Sequence, residues 1–125
     1  MSRAASTSPH PSVLLVQASA ETREVLRTVL ELRGLRIFEA AAASEGVSLA
    51  RLHHPNIIVL DDEIAMTDEN DSPLNFNAES ARDAAFIILG KARRSHLPPG
   101  QVVAKPYHFA PLVHTIEQLA AAKAA

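Results

Sequence analysis

Two residues of this chain have both the chemistry and the setting to act together. Asp61 ends the apolar run Ile57-Ile58-Val59-Leu60, and Lys105 follows Val102-Val103-Ala104. The first run, continuous and β-branched, has the character of a central strand buried on both faces, and the second of a shorter strand in the same sheet. A carboxylate at the C-terminal end of one parallel strand and an ammonium at the end of another meet at the sheet edge where open α/β sheets keep their sites. Such a carboxylate can attack a phosphoryl group, and a nearby lysine can stabilise the charge that builds on the phosphoryl oxygens. The transfer ordinarily draws on Mg²⁺, a hard cation held by carboxylate oxygens and water. The same two residues are equally compatible with a structural salt bridge between strand ends.

The neighbouring strand ends supply little for such chemistry. Val13-Leu14-Leu15-Val16 is followed by Gln17 and Ala18, and Ala85-Phe86-Ile87-Ile88 by Leu89 and Gly90. Gln17 offers a neutral amide oxygen, Ala18 no donor and Leu89 no hydroxyl. No resident metal is therefore expected; Mg²⁺ would bind weakly, with Asp61 and Asp62 as its candidates and Glu63 as an alternative. Asp61, Asp62, Glu63, Asp68, Glu69 and Asp71 crowd one segment, which has the composition of a solvated acidic loop. From Asp68 the spacing grazes a calcium loop, through Asn70, Ser72 and Glu79. Pro73 stands where that loop requires glycine, so calcium is not expected. Lys91, Arg93 and Arg94 form a small basic cluster suited to solvent or to an acidic partner. The histidines show no ligand spacing, and His53-His54 fits the negative end of a helix dipole.

Composition excludes several classes. A chain of 125 residues with 47% hydrophobic content suits one domain with an ample core. No cysteine is present, so no disulfide framework, thiolate metal site or cysteine nucleophile exists. A net charge of −2 argues against a nucleic-acid-binding face. No apolar stretch approaches the roughly 20 residues that span a bilayer. Residues 1–11 are rich in Ser, Ala, Thr and Pro, lack the apolar core of a signal peptide and have the composition of a disordered leader. The domain is expected over 12–121, in the cytoplasm. No GxGxxG or Walker-type loop is present. The loop after Val16 has only two hydroxyls for a flavin phosphate, which leaves a flavodoxin-like cofactor protein as a distant alternative.

The elements that position Asp61 and Lys105 alternate strand and helix. Ser19 can cap a first helix, with Glu21 in its first turn and Val25, Leu26, Val29 and Leu30 at helical spacing. Gly34 closes it in a left-handed cap. A second strand is expected over 35–38. Ser44 can cap a second helix containing Val47, Leu49, Ala50 and Leu52, and His54-Pro55 stops it. Ser72-Pro73 could open a third, polar helix reaching Arg82. Residues 91–101, cut by Pro98-Pro99-Gly100, leave room for a short fourth helix or none. Pro111 opens a last helix with Leu112, Val113, Ile116 and Leu119 on one face, which frays from Ala120. Strand–helix alternation implies an α/β three-layer sandwich: a parallel sheet with helices on both faces.

From Val13 to about Leu119 the chain resembles the response-regulator receiver family. The resemblance is carried by Val13-Leu14-Leu15-Val16, Glu39-Ala40, Pro55-Asn56-Ile57-Ile58-Val59-Leu60-Asp61 and Lys105-Pro106-Tyr107. It implies a flavodoxin-like five-stranded sheet of order 2-1-3-4-5. It places Asp61 at the phosphoacceptor position, Lys105 at the family lysine, Leu89 and Gly90 at the switch-hydroxyl end of strand four, and Tyr107 at the aromatic switch position. Gln17 and Ala18 fall where the family carries an acidic pair for the metal. Gly90, Leu97-Pro98-Pro99-Gly100 and Lys105-Pro106-Tyr107 also partly resemble the single-domain FATGUY subgroup, whose Phe-Ala-Thr reads Ile87-Ile88-Leu89 here.

These departures set the functional expectation. The chain is expected to be a stand-alone pseudo-receiver of bacterial two-component signalling, not an enzyme. It would work by contact with a protein partner, a histidine kinase or a downstream regulator, through residues 91–104 and the last helix. Phosphorylation of Asp61 is expected to be absent or slow. Leu89 would fill the space into which Tyr107 swings. The alternative is a phosphorylation-competent regulator in which Asp62 or Glu63 helps to hold Mg²⁺.

Overall fold

The computed structural model describes residues 11–61, 84–90, 101–103, 105 and 108–124. Its elements are β1 (Ser12–Val16), α1 (Ala20–Leu32), β2 (Arg36–Ala40), α2 (Ala43–His53), β3 (Ile57–Asp61), β4 (Ala85–Leu89), β5 (Gln101–Val103) and α3 (Phe109–Ala124). The strands form one parallel sheet of five, in the order β2-β1-β3-β4-β5. That is the flavodoxin-like 2-1-3-4-5 order expected from the sequence. The expected leader, the polar third helix and the shortened fourth helix lie outside the described residues, as do Asp62, Glu63, Lys91, Arg93, Arg94 and Tyr107.

Strands β1 and β3 are buried along their whole length, which is why their sequences are apolar without alternation. Alternate side chains point to opposite layers. Val13, Leu15, Ile57, Val59, Ile87 and Leu89 pack with Leu26 and Leu30 of α1 and with Leu112 and Ile116 of α3. Leu14, Val16, Ile58, Leu60 and Phe86 pack with Ala43, Val47 and Ala50 of α2. Helices thus cover both faces.

Helix α1 begins as its sequence indicates. Ser19 Oγ accepts a hydrogen bond from the Thr22 amide at 3.1 Å, and Glu21 lies in the first turn. It ends at Gly34, whose φ of +88° is the left-handed conformation that costs glycine least. Its apolar residues do not all face inward: Leu26 and Leu30 are buried, whereas Val25 is 42% exposed.

Five local expectations are corrected. Ser44 is not the cap of α2. The helix starts at Ala43 behind Ala42, which makes no side-chain cap bond; Glu45 instead accepts from the Ala41 amide at 3.1 Å. Leu52, expected inside, is 70% exposed. The second strand runs Arg36–Ala40 rather than over 35–38, because the Leu35 amide still donates to Leu30 O in the helix-terminating turn. Helix α3 starts at Phe109, two positions before Pro111, and continues to Ala124. Proline in a first turn loses no intrahelical bond, and alanine is the strongest helix former, so neither limits the helix as expected. Ala120 is 3% exposed and part of the core.

Candidate functional site

The register carries the chemistry-bearing positions to one sheet edge. Val16 pairs with Leu60, Asp61 with Leu89, and Leu89 with Val103. The next step along β1 sets Gln17 beside Asp61, and Gln17 continues the ladder to β2 through its amide, which donates to Ala40 O at 3.0 Å. Gln17, Asp61 and Leu89 therefore stand in one row across the sheet. By strand alternation the row belongs to the α1 and α3 side. Lys105 follows β5 by two residues.

Asp61 and Lys105 do meet. Lys105 Nζ donates to Asp61 Oδ1 at 2.8 Å. The carboxylate side chain is 5% exposed and the lysine side chain 31% exposed. Taking a carboxylate out of water is costly unless it is paired and hydrogen-bonded, and the ammonium supplies that pairing. Gly90 turns the chain off β4 at a φ of +129° and donates its amide to Val103 O at 2.8 Å, which ties the ends of β4 and β5 together below Lys105.

The remaining members of the row bring no matching chemistry. Leu89 is 0% exposed and belongs to the apolar layer under α1 and α3. Gln17 is buried, and its Oε1 turns to the Ser19 amide at 3.4 Å, a long contact within the loop that leads into α1. Ala18 is exposed and carries no donor. The described donor set for a divalent cation is thus one carboxylate already engaged by an ammonium and one amide oxygen turned to the loop. That set does not fit a magnesium site. Among the described residues no three His, Asp or Glu side chains gather as a ligand group.

One participant was missed from the sequence. Arg23 Nη1 donates to the carbonyl of Gln17, and its Nε donates to Glu39 Oε1 at 3.2 Å. Arg27 Nη1 reaches the other oxygen, Glu39 Oε2, at 2.9 Å. A guanidinium thus clamps the loop after β1, and a carboxylate on β2 holds the guanidinium. The available signal was the i, i+4 spacing of Arg23 and Arg27 on α1 together with the one acid of the second strand, Glu39.

The chain thus combines a parallel 2-1-3-4-5 sheet with a carboxylate at the end of β3 that meets, across the end of β4, a lysine just beyond β5. Comparison with solved structures agrees. The chain is similar to the receiver domain of the sensor histidine kinase PA1611 from Pseudomonas aeruginosa, at 20% identity and a TM-score of 0.73, covering 90% of this chain and 98% of that one. That structure holds a magnesium ion in its active-site cleft. The chain is likewise similar to the receiver domain of the Francisella response regulator 1452, at 18% identity and a TM-score of 0.73, covering 90% and 98%. With the chemotaxis response regulator CheY4 of Vibrio cholerae the identity is 15% and the TM-score 0.73, over 88% and 98%. At these identities the likeness is one of fold. No family model matches the sequence, and no curated protein matches it. Among the described residues no helix is long and apolar enough to cross a membrane.

Proposed function

We propose that the chain is an atypical receiver of bacterial two-component signalling that acts in the cytoplasm by docking to a protein partner, with phosphoryl transfer to Asp61 absent or slow. The observation that carries this reading is the row Gln17–Asp61–Leu89. In it the one carboxylate is flanked by an amide and a fully buried leucine. A receiver needs further acids there to hold the metal and a hydroxyl to follow the phosphoryl group. Positioning by Lys105 without the metal leaves most of the barrier in place. With Leu89 unable to bond a phosphoryl oxygen, Tyr107 has no trigger, and the domain is held in one state. The partner is a histidine kinase or a downstream regulator, met through residues 91–104 and the last helix; Val102, 42% exposed on the edge strand β5, is part of that face. No catalytic turnover is assigned to the chain.

The second reading, a working acceptor that draws metal ligands from Asp62 or Glu63, is favoured by one observation: the Asp61–Lys105 contact of 2.8 Å is intact. An amide NMR titration with Mg²⁺ and then beryllofluoride separates the two. The proposed reading expects the signals around Asp61, Gln17 and Lys105 to stay in place, and acetyl phosphate with Mg²⁺ to leave the protein mass unchanged. Shifts that spread from Asp61 to Tyr107 with beryllofluoride, and weaken in Asp62→Asn, establish the second reading instead. The Gln17→Asp, Ala18→Asp variant serves as positive control, because it returns the anionic oxygens a hard cation requires.

A further inference from the structure

Both main-chain groups of Gln17, at the end of β1, are tied to β2. Its amide donates to Ala40 O at 3.0 Å. Its carbonyl accepts from Arg23 Nη1, and Arg23 Nε donates at 3.2 Å to Glu39, the residue before Ala40. The same Nη1 lies 3.5 Å from the carbonyl of Ala18. With N–H and C=O both held, the planar peptide units on either side of Gln17 are fixed, and the direction of its Cα–Cβ bond is fixed with them. That direction puts residue 17 in the row with Asp61, and Gln17 is 7% exposed there.

An ion pair that only joined α1 to β2 would need no loop carbonyl. Arg27 is such a case: it bonds to Glu39 Oε2 at 2.9 Å and, among the described residues, to nothing else, and its side chain is 39% exposed. The Arg23 side chain is 17% exposed, laid over the loop between its two partners. A guanidinium presents its donors in a rigid fork, so it can grip a carboxylate and a carbonyl at once, which a compact ammonium on a flexible stem does less well. Among the described residues, Arg23 is the one side chain that joins the loop after β1 to β2.

We propose that Arg23 is a positioning residue of the Asp61 edge: braced by Glu39, it fixes the backbone of Gln17 and Ala18, so that two side chains, and not the loop that carries them, separate this edge from one able to hold a divalent cation. The proposal rests on the reading that the chain itself lacks a magnesium site. Amide NMR titration with Mg²⁺ tests it on Gln17→Asp, Ala18→Asp, alone and combined with Arg23→Ala, Arg23→Lys or Arg33→Ala. The restored acidic pair is expected to bind Mg²⁺. Losing a residue that orients metal ligands costs about 10–100-fold in affinity, and Arg23→Ala is expected to fall in that range. The sign is decisive, because an arginine acting only as a nearby positive charge repels Mg²⁺ and its removal would tighten binding. Arg23→Lys keeps the charge without the fork and is expected to weaken binding as well, which keeps the test open where Arg23→Ala folds poorly by circular dichroism. Arg33→Ala, which removes an arginine paired with Glu117 instead, is expected to leave the affinity unchanged. Unchanged or tighter binding in the Arg23 variants overturns the proposal. So does a restored pair that binds no Mg²⁺, because the loop then fails to present positions 17 and 18 to Asp61. Binding by the unsubstituted chain would instead refute the absence of a native metal site, and the Arg23 comparison would still decide the proposal.

Discussion

Replacing the two members of the Asp61–Lys105 pair one at a time should have unequal consequences. The side chains differ in burial, 5% exposed for Asp61 against 31% for Lys105, at a separation of 2.8 Å. Removing one partner of a fully buried pair costs about 3–5 kcal/mol, because the charge left behind has lost its solvent and its counter-ion together. Lys105 is nearly one-third exposed, so water screens the contact and the figure must be discounted. For Lys105→Ala we expect a loss of about 2 kcal/mol, as the carboxylate left behind cannot reach water. For Asp61→Asn the lysine left behind re-enters solvent and the buried group is neutral, so the change should stay within about 1 kcal/mol. The double variant should cost less than Lys105→Ala alone, with a coupling energy of about 1–2 kcal/mol.

Urea unfolding of the four proteins, followed by far-ultraviolet circular dichroism, measures this directly, since a chain of 125 residues is suited to two-state treatment. Equal losses for the two single variants would refute the reasoning, because they would mean that the carboxylate is not the desolvated partner. A double variant as unstable as the sum of the singles would show that the contact carries no coupling.

Three further outcomes follow from local geometry. Leu89→Thr, which places a hydroxyl beside Asp61, should cost about 2–4 kcal/mol in the same assay, because Leu89 is 0% exposed in the packed layer; a neutral change would mean that the layer there is loose. Gly34→Ala should cost about 1 kcal/mol through backbone strain alone, as φ is +88° and an added Cβ meets nothing within 4 Å. A stabilised Gly34→Ala would show that the unfolded chain dominates the difference. Ser19→Ala should lose about 1 kcal/mol with the cap bond to the Thr22 amide, whereas Ser44→Ala, lying inside α2, should not destabilise the protein.

The sequence was most legible where one physical demand acts alone. A strand buried on both faces must be apolar throughout, so β1, β3 and β4 stood out, and the strand–helix rhythm then admitted few topologies. Gly34 and Ser19 were legible for a similar reason: a left-handed turn after one periodic segment and a hydroxyl before it each have few competing explanations. Legibility failed where several residues could serve equally. Around α2 the run Ala41-Ala42-Ala43-Ser44-Glu45 contains a plausible serine cap, yet the carboxylate of Glu45 reaches back to the Ala41 amide and the helix starts earlier. Leu52 obeys helical spacing and still faces solvent, because the width of the covered stripe depends on what α2 packs against. Arg23 was hidden for a different reason: its partners are the carbonyl of Gln17 and the carboxylate of Glu39, and only the tertiary fold brings these together.

The pairing of Asp61 with Lys105 has a physical explanation that does not require phosphoryl transfer. The sheet is held by the apolar layers on its two faces, and the amide of Gln17 continues the ladder to β2 whatever its side chain, so Gln17 can change with little effect on β1. Asp61 is different. Once a carboxylate is fixed at the buried end of β3, losing Lys105 alone is penalised. The pair also ties the end of β3 to the segment between β5 and α3. The unequal costs of Lys105→Ala and Asp61→Asn decide whether stability is what retains the Asp–Lys contact.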